Sequence, residues 1–379
     1  MYSVEKFQGV NLVKHFDYFL FFAVLILSGI GIVVVKSASL VMPNGADGSR
    51  MAMVQVAAMV LGIVAALVLS SIDYQYYKNF SFILYLGSLM LLVLVLIFGT
   101  GEQFGSKSWL NIAGITVQPS ELAKISFVFV VAYYLEKINE SEEKIKPIAL
   151  LAVFAAIPIG LVLLQPDMGT ALVFIFIFCI MVYVAGLSYK YIAIGFLSSI
   201  PVFLLSWFYL LEDYQKNRII GLFKPESGST TYTFNVLRSI MAIGSGRLYG
   251  QGLFQGTLTQ SASVPVKESD FIFSVIGEEL GFIGSVAVVL LLTLIIIRCL
   301  YIAKTARDKF GSYVVSGICG MYAFHFIENT GMSIGLLPVT GIPLPFISQG
   351  GTSLLASFIA IGVVLSVSMR RKKALFEDE

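Results

Sequence analysis

The chain has 379 residues, of which 57% are hydrophobic and only 13% are charged. Such a composition lies far outside the range of soluble globular domains, and it predicts an integral membrane protein. The formal net charge of +2 gives no sign of a nucleic-acid partner, so only the placement of the charges is informative.

Apolar stretches long enough to cross roughly 30 Å of hydrocarbon as helices recur along the whole chain. We expect the first stretch to remain as a membrane helix, because no small-residue cleavage site of a signal peptide follows it. The predicted fold class is all-α and polytopic, with residues 1–379 forming a single integral membrane domain. About ten transmembrane helices are predicted, at residues 16–35, 52–72, 80–98, 119–135, 148–164, 169–186, 190–210, 271–298, 311–336 and 352–369.

The basic residues favour one orientation of these helices. With the N-terminus in the cytoplasm, the inner segments collect most of the lysines and arginines, including the RRKK run that begins at Arg370. This arrangement satisfies the positive-inside rule, so both termini are predicted to be cytoplasmic.

A large outer loop precedes the eighth helix, at about residues 211–270, and it is also basic, with Arg218 and Arg247 among its charges. The positive-inside rule is weak for a loop of this length, so the predicted orientation stands. The charges fit either a solvated loop or a basic surface for phosphates at the bilayer. Its segment TTYTFNVLRSIMAIGSG is expected to form short interfacial helices.

The cysteines and histidines indicate neither a disulfide framework nor a structural metal. Cys179, Cys299 and Cys319 lie inside apolar stretches or at their ends, where packing in the bilayer explains them. His15 and His325 are far apart and have no cysteine or carboxylate at ligand spacing. We therefore predict no metal site built by the chain itself.

Polar residues mark the outer ends of several predicted helices, beginning with QPSELAK at residues 118–124. Glu121 and Lys124 are three residues apart, so they share one helix face as it enters the membrane. Ionisable residues at that depth pair with one another or line a cavity. Either Lys124 forms a self-neutralising pair with Glu121, or it contacts a phosphate or sugar.

A second Gln-Pro motif, QPDMGT at residues 165–170, opens the sixth helix with Gln165 and Asp167. A carboxylate in this position is either a helix cap or a substrate contact. The later run LLPVTGIPLPFISQGGTS, which contains Ser348, has too many prolines and glycines for a regular helix. Irregular backbone at membrane depth either lines a cavity or is buried in protein. Because free N–H groups at helix N-termini bind anions, the hypothesis is that these converging helix ends hold a pyrophosphate.

Asp270 is the last polar residue before the eighth helix, and Glu278 and Glu279 follow about two turns later. As an N-cap, Asp270 would have a lowered pKa, whereas as a general base it would have a raised one. For Glu278 and Glu279, a structural role is as consistent with the pattern as a catalytic one. The glycine-rich GSGRLYGQG follows no strand, so we reject a dinucleotide-binding loop.

These motifs, in their order and spacing, resemble the SEDS family of cell-wall glycan polymerases across nearly the whole chain, and within it the RodA branch, which acts in elongation. The resemblance is carried by WLNIAGITVQPSELAK, QPDMGTAL, RIIGLFKP, AIGSGRLYGQG, DFIFSVIGEELGFIG and LLPVTGIPLPFISQGGTS. Two positions depart from the family pattern. KESD stands where relatives usually have His-Thr-Asp, and Gln349 stands where they have Tyr.

The resemblance implies a ten-helix, inverting glycosyltransferase of the inner membrane that polymerises lipid II at the extracytoplasmic face, beside a class B penicillin-binding protein. Asp270 matches the family's essential aspartate, which makes it the expected general base. We expect no tightly bound cofactor and no nucleic-acid partner; a loosely held Mg²⁺ or Mn²⁺ would accompany the pyrophosphate substrate. Substrate contacts are predicted for Lys124, Glu121, Arg218, Asp167, Gln165, Arg247, Glu279 and Ser348.

Two other functions remain open from the residues alone. A lipid II flippase would also use an intramembrane pair such as Glu121 and Lys124, and a non-catalytic activator would only stimulate a transpeptidase. Because the polar motifs crowd the outer face, whereas a flippase needs polar contacts at both faces, the enzyme is favoured.

Overall fold

The structure is a computed structural model of the chain. It describes residues 15–40, 48–101, 106–112, 115–142, 145–188, 213–223, 231–261 and 263–371, together with the isolated positions 190, 191, 193, 197, 201 and 208. The predicted span at 190–210 therefore lies largely outside the described residues.

At the other nine predicted spans the described chain forms a helix, because each is a long and mostly apolar stretch. Pro158 lies inside one of them, since neighbouring helices in a membrane bundle tolerate a proline there. In chain order these helices are α1 (Tyr18–Ala38), α2 (Gly48–Ser71), α3 (Tyr74–Phe98), α4 (Pro119–Glu140), α5 (Ile145–Leu163), α6 (Met168–Val184), α10 (Ile272–Thr305), α11 (Lys309–Ser333) and α12 (Gly351–Met369).

By length and composition, seven of the described helices can cross a membrane, namely α1, α2, α3, α5, α10, α11 and α12. Helix α6 has only 17 residues, and α4 carries charged side chains at both ends. The chain is thus a multi-pass membrane protein. The total of ten spans and their orientation stay predictions.

The described part of the large loop contains three short helices, α7 (Asp213–Phe223), α8 (Thr231–Ser245) and α9 (Thr257–Gln260). Only α8 lies in the segment TTYTFNVLRSIMAIGSG that is expected to be helical, and it is a single helix. A feature that the all-α prediction lacked is a small antiparallel hairpin before α4, in which β1 (Leu110–Ile112) pairs with β2 (Ile115–Val117). Each strand has only three residues, too few for a clear alternating pattern in the sequence.

The interior of the bundle is formed by α4, α11 and α12, which are mostly buried, whereas α2, α3 and α5 expose most of their surface. Small residues let these helices approach one another closely. A methyl group on Gly362 of α12 would lie 2.8 Å from the Cα of Ala66 in α2, and one on Gly317 of α11 would lie 2.9 Å from the Val128 side chain in α4.

Helix α10 is broken near its beginning at Gly281, whose φ of 69° and ψ of −164° are not helical. Only glycine adopts this conformation readily, since it has no Cβ. The break separates a buried first segment, 272–280, from the long segment that follows. Asp270 therefore lies near one end of this first segment, and the contacts around Gly281 lie at its other end.

Candidate active site

The carboxylate of Asp270 lies at the start of α10 but does not cap it. The N-cap position is taken by Phe271, and no side chain makes a capping hydrogen bond there. Asp270 is half-buried, and its Oδ1 accepts a hydrogen bond of 3.0 Å from Ser269 Oγ. A methyl group on the exposed Gly341 would lie 3.4 Å from Asp270 Oδ2. The carboxylate therefore faces an accessible stretch of backbone.

Burial raises the pKa of Asp270 to about 6. The Ser269 hydrogen bond and the positive charge of Arg218 lower this pKa, while the negative charges of Glu268 and Asp167 raise it. Desolvation is the largest of these effects, as expected when a carboxylate is withdrawn from water. The N-cap alternative does not hold for Asp270, because Phe271 takes that position, and the raised pKa is the direction expected of a base rather than of a cap.

Arg218 and Asp167 are brought into the electrostatic range of Asp270 from two other elements. Arg218 belongs to α7, and its Nη1 donates to the carbonyl of Val339 at 3.3 Å. Asp167 precedes α6, where it accepts from Thr170 N at 3.0 Å and from Thr170 Oγ1 at 2.9 Å. Asp167 is therefore a helix cap, as one alternative held, and its charge also acts on Asp270.

Gln165, from the same motif as Asp167, turns away from this centre. It is buried, and its Nε2 donates to the carbonyl of Leu92 in α3 at 3.0 Å. This contact ties the end of α5 to α3. Its predicted role as a substrate contact stays untested, but the observed bond is a packing contact between helices.

Glu121 and Lys124 form the buried ion pair that one alternative predicted. Lys124 Nζ lies 2.8 Å from Glu121 Oε1 and 3.0 Å from His325 Nε2, and the lysine is only 1% exposed. His325 Nδ1 lies 3.1 Å from the carbonyl of Pro343. Since a carbonyl only accepts, Nδ1 carries the ring proton and the unprotonated Nε2 accepts from the ammonium group. Lys124 is thus held by protein groups on two sides.

Glu278 and Glu279 hold the large loop in place. Glu278 accepts from Leu258 N at 2.7 Å and from Thr259 N at 2.8 Å, so it caps the short helix α9. Glu279 accepts from Ser37 Oγ of α1 at 2.6 Å. Both glutamates are almost completely buried. The geometry favours a structural role for Glu279, and its predicted substrate contact stays a prediction.

The glycine-rich segment 244–252 packs against the break in α10. Arg247 O accepts from Phe282 N at 2.8 Å, and Gly252 N donates to Glu279 O at 3.1 Å. A helical segment of nine residues separates this point from Asp270, which corresponds to about 14 Å. Arg247 is exposed, and the structure does not bring it to the carboxylate of Asp270.

Ser348 lies in the irregular run 336–350 and contacts the segment that carries Asp270. Its Oγ donates to Ser269 O at 2.6 Å and accepts from Leu344 N at 2.8 Å. The hydroxyl is buried and engaged on both sides. Ser348 therefore contacts the backbone beside the candidate base, and its hydroxyl is not free.

Three further polar residues near the site were not singled out as site residues from the sequence. His325, Glu328 and Asn329 lie on one face of α11, and they bond to Pro343 O, Thr340 Oγ1 and Ile342 O respectively. The spacing i, i+3 and i+4 within an apolar span would have indicated this polar face. It joins α11 to the irregular run that borders Asp270.

Comparisons with known proteins identify the family of the chain. The FTSW_RODA_SPOVE cell cycle protein family model matches residues 18–373. The chain is 36% identical to a probable peptidoglycan glycosyltransferase FtsW of Trichlorobacter lovleyi, over 95% of this chain and 94% of that protein. It is 30% identical to the peptidoglycan glycosyltransferase RodA of Treponema pallidum, over 95% and 99% respectively.

Solved structures show the same fold. A peptidoglycan synthase complex that coordinates polymerization and crosslinking contains a chain with a TM-score of 0.79 and 29% identity, matched over 95% of this chain and 99% of that one. The rod shape determining protein RodA of Thermus thermophilus matches with a TM-score of 0.70 and 29% identity, over 95% and 98%. The chain therefore belongs to the FtsW, RodA and SpoVE family, which is the SEDS family that its motifs resemble.

Proposed function

We propose that this chain is a peptidoglycan glycosyltransferase that polymerises lipid II into glycan strands during cell elongation, with Asp270 as the general base. The observation that carries the proposal is the state of Asp270. It caps no helix, it borders exposed backbone at Gly341, and burial raises its pKa to about 6. A general base needs this combination of access and a pKa near the working pH.

In the proposed reaction, Asp270 removes the proton from the 4-hydroxyl of the acceptor sugar. The hydroxyl oxygen attacks the anomeric carbon of the growing chain, and the bond from that carbon to the pyrophosphate oxygen breaks. The product has inverted configuration at that carbon, and undecaprenyl pyrophosphate leaves with the bonding electron pair. Asp270 then returns its proton to solvent, and no covalent enzyme intermediate forms.

Charge on the departing pyrophosphate needs a cation nearby, and Arg218 is the best placed of the predicted basic residues. Its charge already acts on Asp270, and positioned cations stabilise developing negative charge. Lys124 is buried between Glu121 and His325, so we assign it a supporting role. A Mg²⁺ or Mn²⁺ ion bound to the pyrophosphate of the substrate would share this task.

The proposed setting is the inner membrane, with about ten spans, both termini in the cytoplasm, and the loop that carries Asp270 on the outer side. The proposed partner is a class B penicillin-binding protein that crosslinks the new glycan. This partner is suggested by the solved relative that forms a peptidoglycan synthase complex. The closed Glu121–Lys124 pair gives no specific support to the flippase alternative.

The test is glycan synthesis from purified lipid II by the full-length protein, alone and with its partner. We expect polymer from the wild type and none from Asp270→Asn, a change that keeps the size of the side chain but removes the base. The matched control is Glu140→Gln, which neutralises an exposed carboxylate at the far end of α4 and should leave the rate unchanged.

Full polymerisation by the folded Asp270→Asn protein would refute the assignment of the base. A wild-type protein that moves lipid II across vesicles but makes no polymer, with or without its partner, would favour the flippase. Polymer made by the partner alone, and only stimulated by this chain, would favour the activator.

A further inference from the structure

Three consecutive backbone carbonyls lead up to the carboxylate of Asp270, and each accepts a hydrogen bond from a different group. Glu268 O accepts from Gln349 N at 2.9 Å, Ser269 O accepts from Ser348 Oγ at 2.6 Å, and Asp270 O accepts from Asn329 Nδ2 at 2.9 Å. We call these three bonds the carbonyl grip. Two of its donors belong to the irregular run and one to α11, so the segment is held by parts of the chain that are remote in sequence.

Asn329 links the segment of Asp270 to the backbone that faces it. The side chain is completely buried, and its Nδ2 also donates to Ile342 O at 2.8 Å. A side-chain amide has two N–H hydrogens, and here both are used. Because Gly341 borders Asp270 Oδ2, Asn329 sets the position of the carboxylate and of the adjacent wall together.

Ser348 is itself held in one orientation. Its hydroxyl donates to Ser269 O and accepts from Leu344 N at 2.8 Å. Its carbonyl accepts from Gln55 Nε2 of α2 at 3.0 Å. The hydroxyl hydrogen, the hydroxyl oxygen and the carbonyl of Ser348 are thus all engaged, so no free hydroxyl is presented to a ligand. Ser348 instead fixes the position of Ser269 relative to the irregular run.

We infer that Asn329 and Ser348 are positioning residues that hold Asp270 in the geometry needed for proton abstraction. The inference rests on the proposed function of Asp270 and adds the groups that set its position. Proton transfer requires the base within hydrogen-bond reach of the acceptor hydroxyl. A displacement of about 1 Å costs on the order of 100-fold in rate.

The pH dependence of the rate separates this role from a merely structural one. The charged groups that act on Asp270 are Arg218 of α7, Glu268 of its own segment and Asp167 before α6, and none of them is altered by changes at 329 or 348. Loss of the carbonyl grip therefore changes the pKa of Asp270 through the burial of its carboxylate. Water reaching the carboxylate lowers its pKa, so the acid limb of the profile moves to lower pH.

The experiment compares Asn329→Leu and Ser348→Ala with two control variants, using lipid II polymerisation by the full-length protein. Thr330→Val removes a hydroxyl that bonds within α11, to Phe326 O. Ser357→Ala removes one that bonds within α12, to Ser353 O. We expect kcat to fall at least about tenfold in the two test variants, with KM within about threefold of wild type and a lower acid limb. The controls should behave as wild type.

The outcomes are distinguishable. A substantially active Asp270→Asn protein would overturn the proposed function and the inference with it. An inactive Asp270→Asn protein, together with wild-type kcat and acid limb in both test variants, would overturn only the inference. A raised KM at unchanged kcat for Ser348→Ala would instead assign Ser348 to substrate binding. If Asn329→Leu does not purify as a monodisperse protein, the kcat and the acid limb of Ser348→Ala alone test the inference.

Discussion

At the residue scale, the state of Asp270 depends on neighbours that are distant in the sequence. Burial raises its pKa and the charge of Arg218 lowers it, while Glu268 and Asp167 add negative charge. Glu268 lies in the KESD segment, two residues before Asp270. The additional carboxylate next to the base raises the pKa of Asp270 further, toward the range in which a carboxylate accepts protons efficiently near neutral pH.

The raised pKa of Asp270 predicts how the rate of glycan synthesis depends on pH. Asp270 must be ionised to accept a proton, so kcat/KM should fall as the pH drops through about 6, the raised pKa. The measurement is the initial rate of lipid II polymerisation at limiting substrate across this range. Glu268→Gln should move the acid limb to lower pH, since it removes a negative charge that raises the pKa. An acid limb near the ordinary aspartate pKa of 3.8 in the wild type would contradict the prediction.

The raised pKa of Asp270 also predicts that its ionised carboxylate reduces the stability of the folded protein. A carboxylate whose pKa is raised on folding is disfavoured in its charged form, so the cost is present above the folded pKa and disappears as the pH falls below it. At pH values above about 6, Asp270→Asn should therefore raise the thermal unfolding temperature in detergent. The gain should shrink on acidification.

The contrast for this measurement is Asp17→Asn. Asp17 accepts from Leu20 N at 3.0 Å and pairs with Arg298 at 2.7 Å, so its removal should lower the unfolding temperature. Equal destabilisation by both changes would show that Asp270 is a structural carboxylate like Asp17.

At the element scale, the break in α10 and the glycine-rich segment form one unit. Gly281 has a φ of 69°, and a Cβ at this position would lie 2.3 Å from the backbone nitrogen of Gly250. Backbone therefore packs directly on backbone, with bonds from Gln251 N to Glu278 O and from Phe282 N to Arg247 O. Side chains larger than hydrogen have no room at this contact.

Gly281→Ala should therefore impair folding, because it adds backbone strain and a steric clash. We expect a lower unfolding temperature and less monodisperse protein on size-exclusion chromatography. The matched control is Gly244→Ala in α8, where a Cβ meets no atom within 4 Å and alanine favours the helix. A Gly281→Ala protein as stable as the Gly244→Ala protein would contradict the observed packing.

The buried ion pair between Glu121 and Lys124 within α4 gives a second prediction at this scale. Lys124→Met leaves Glu121 as an unpaired buried charge, which costs about 3–5 kcal/mol of unfolding free energy. The double change Lys124→Met with Glu121→Gln removes both charges and should recover most of that loss. Unfolding of the single and double variants in detergent checks this. A loss in the double variant equal to the sum of the two single losses would show that the two residues act independently.

At the scale of the whole molecule, the bundle has an outer set of helices with exposed apolar surface and an enclosed set that forms the core. Helices α2, α3 and α5 expose apolar surface, whereas α4, α11 and α12 are largely enclosed. Charged residues join the helix ends, as where Arg370 donates to the carbonyls of Ser70 and Ser71 at 3.1 and 2.8 Å. This arrangement suits a protein that works on a lipid-linked substrate at one face of the membrane.

The predicted orientation can be checked by cysteine labelling in intact cells. In a variant that lacks Cys179, Cys299 and Cys319, Tyr249→Cys should react with a membrane-impermeant maleimide, because Tyr249 is 81% exposed and belongs to the outer loop. Glu140→Cys, on the cytoplasmic side in the same prediction, should react only after the cells are opened. The reverse pattern would invert the topology and place Asp270 inside.

The sequence by itself determined the membrane class, nine of the helices and the family. Long apolar stretches, prolines and glycines act locally, so their effect is readable without the fold. Only the tertiary structure decided that Asp167 caps α6, that Lys124 is closed between Glu121 and His325, and that Arg247 lies away from Asp270. Those outcomes depend on contacts between residues far apart in the chain. The raised pKa of Asp270 was also decided only by the tertiary structure, because desolvation is set by what packs around a carboxylate and not by its neighbours in sequence.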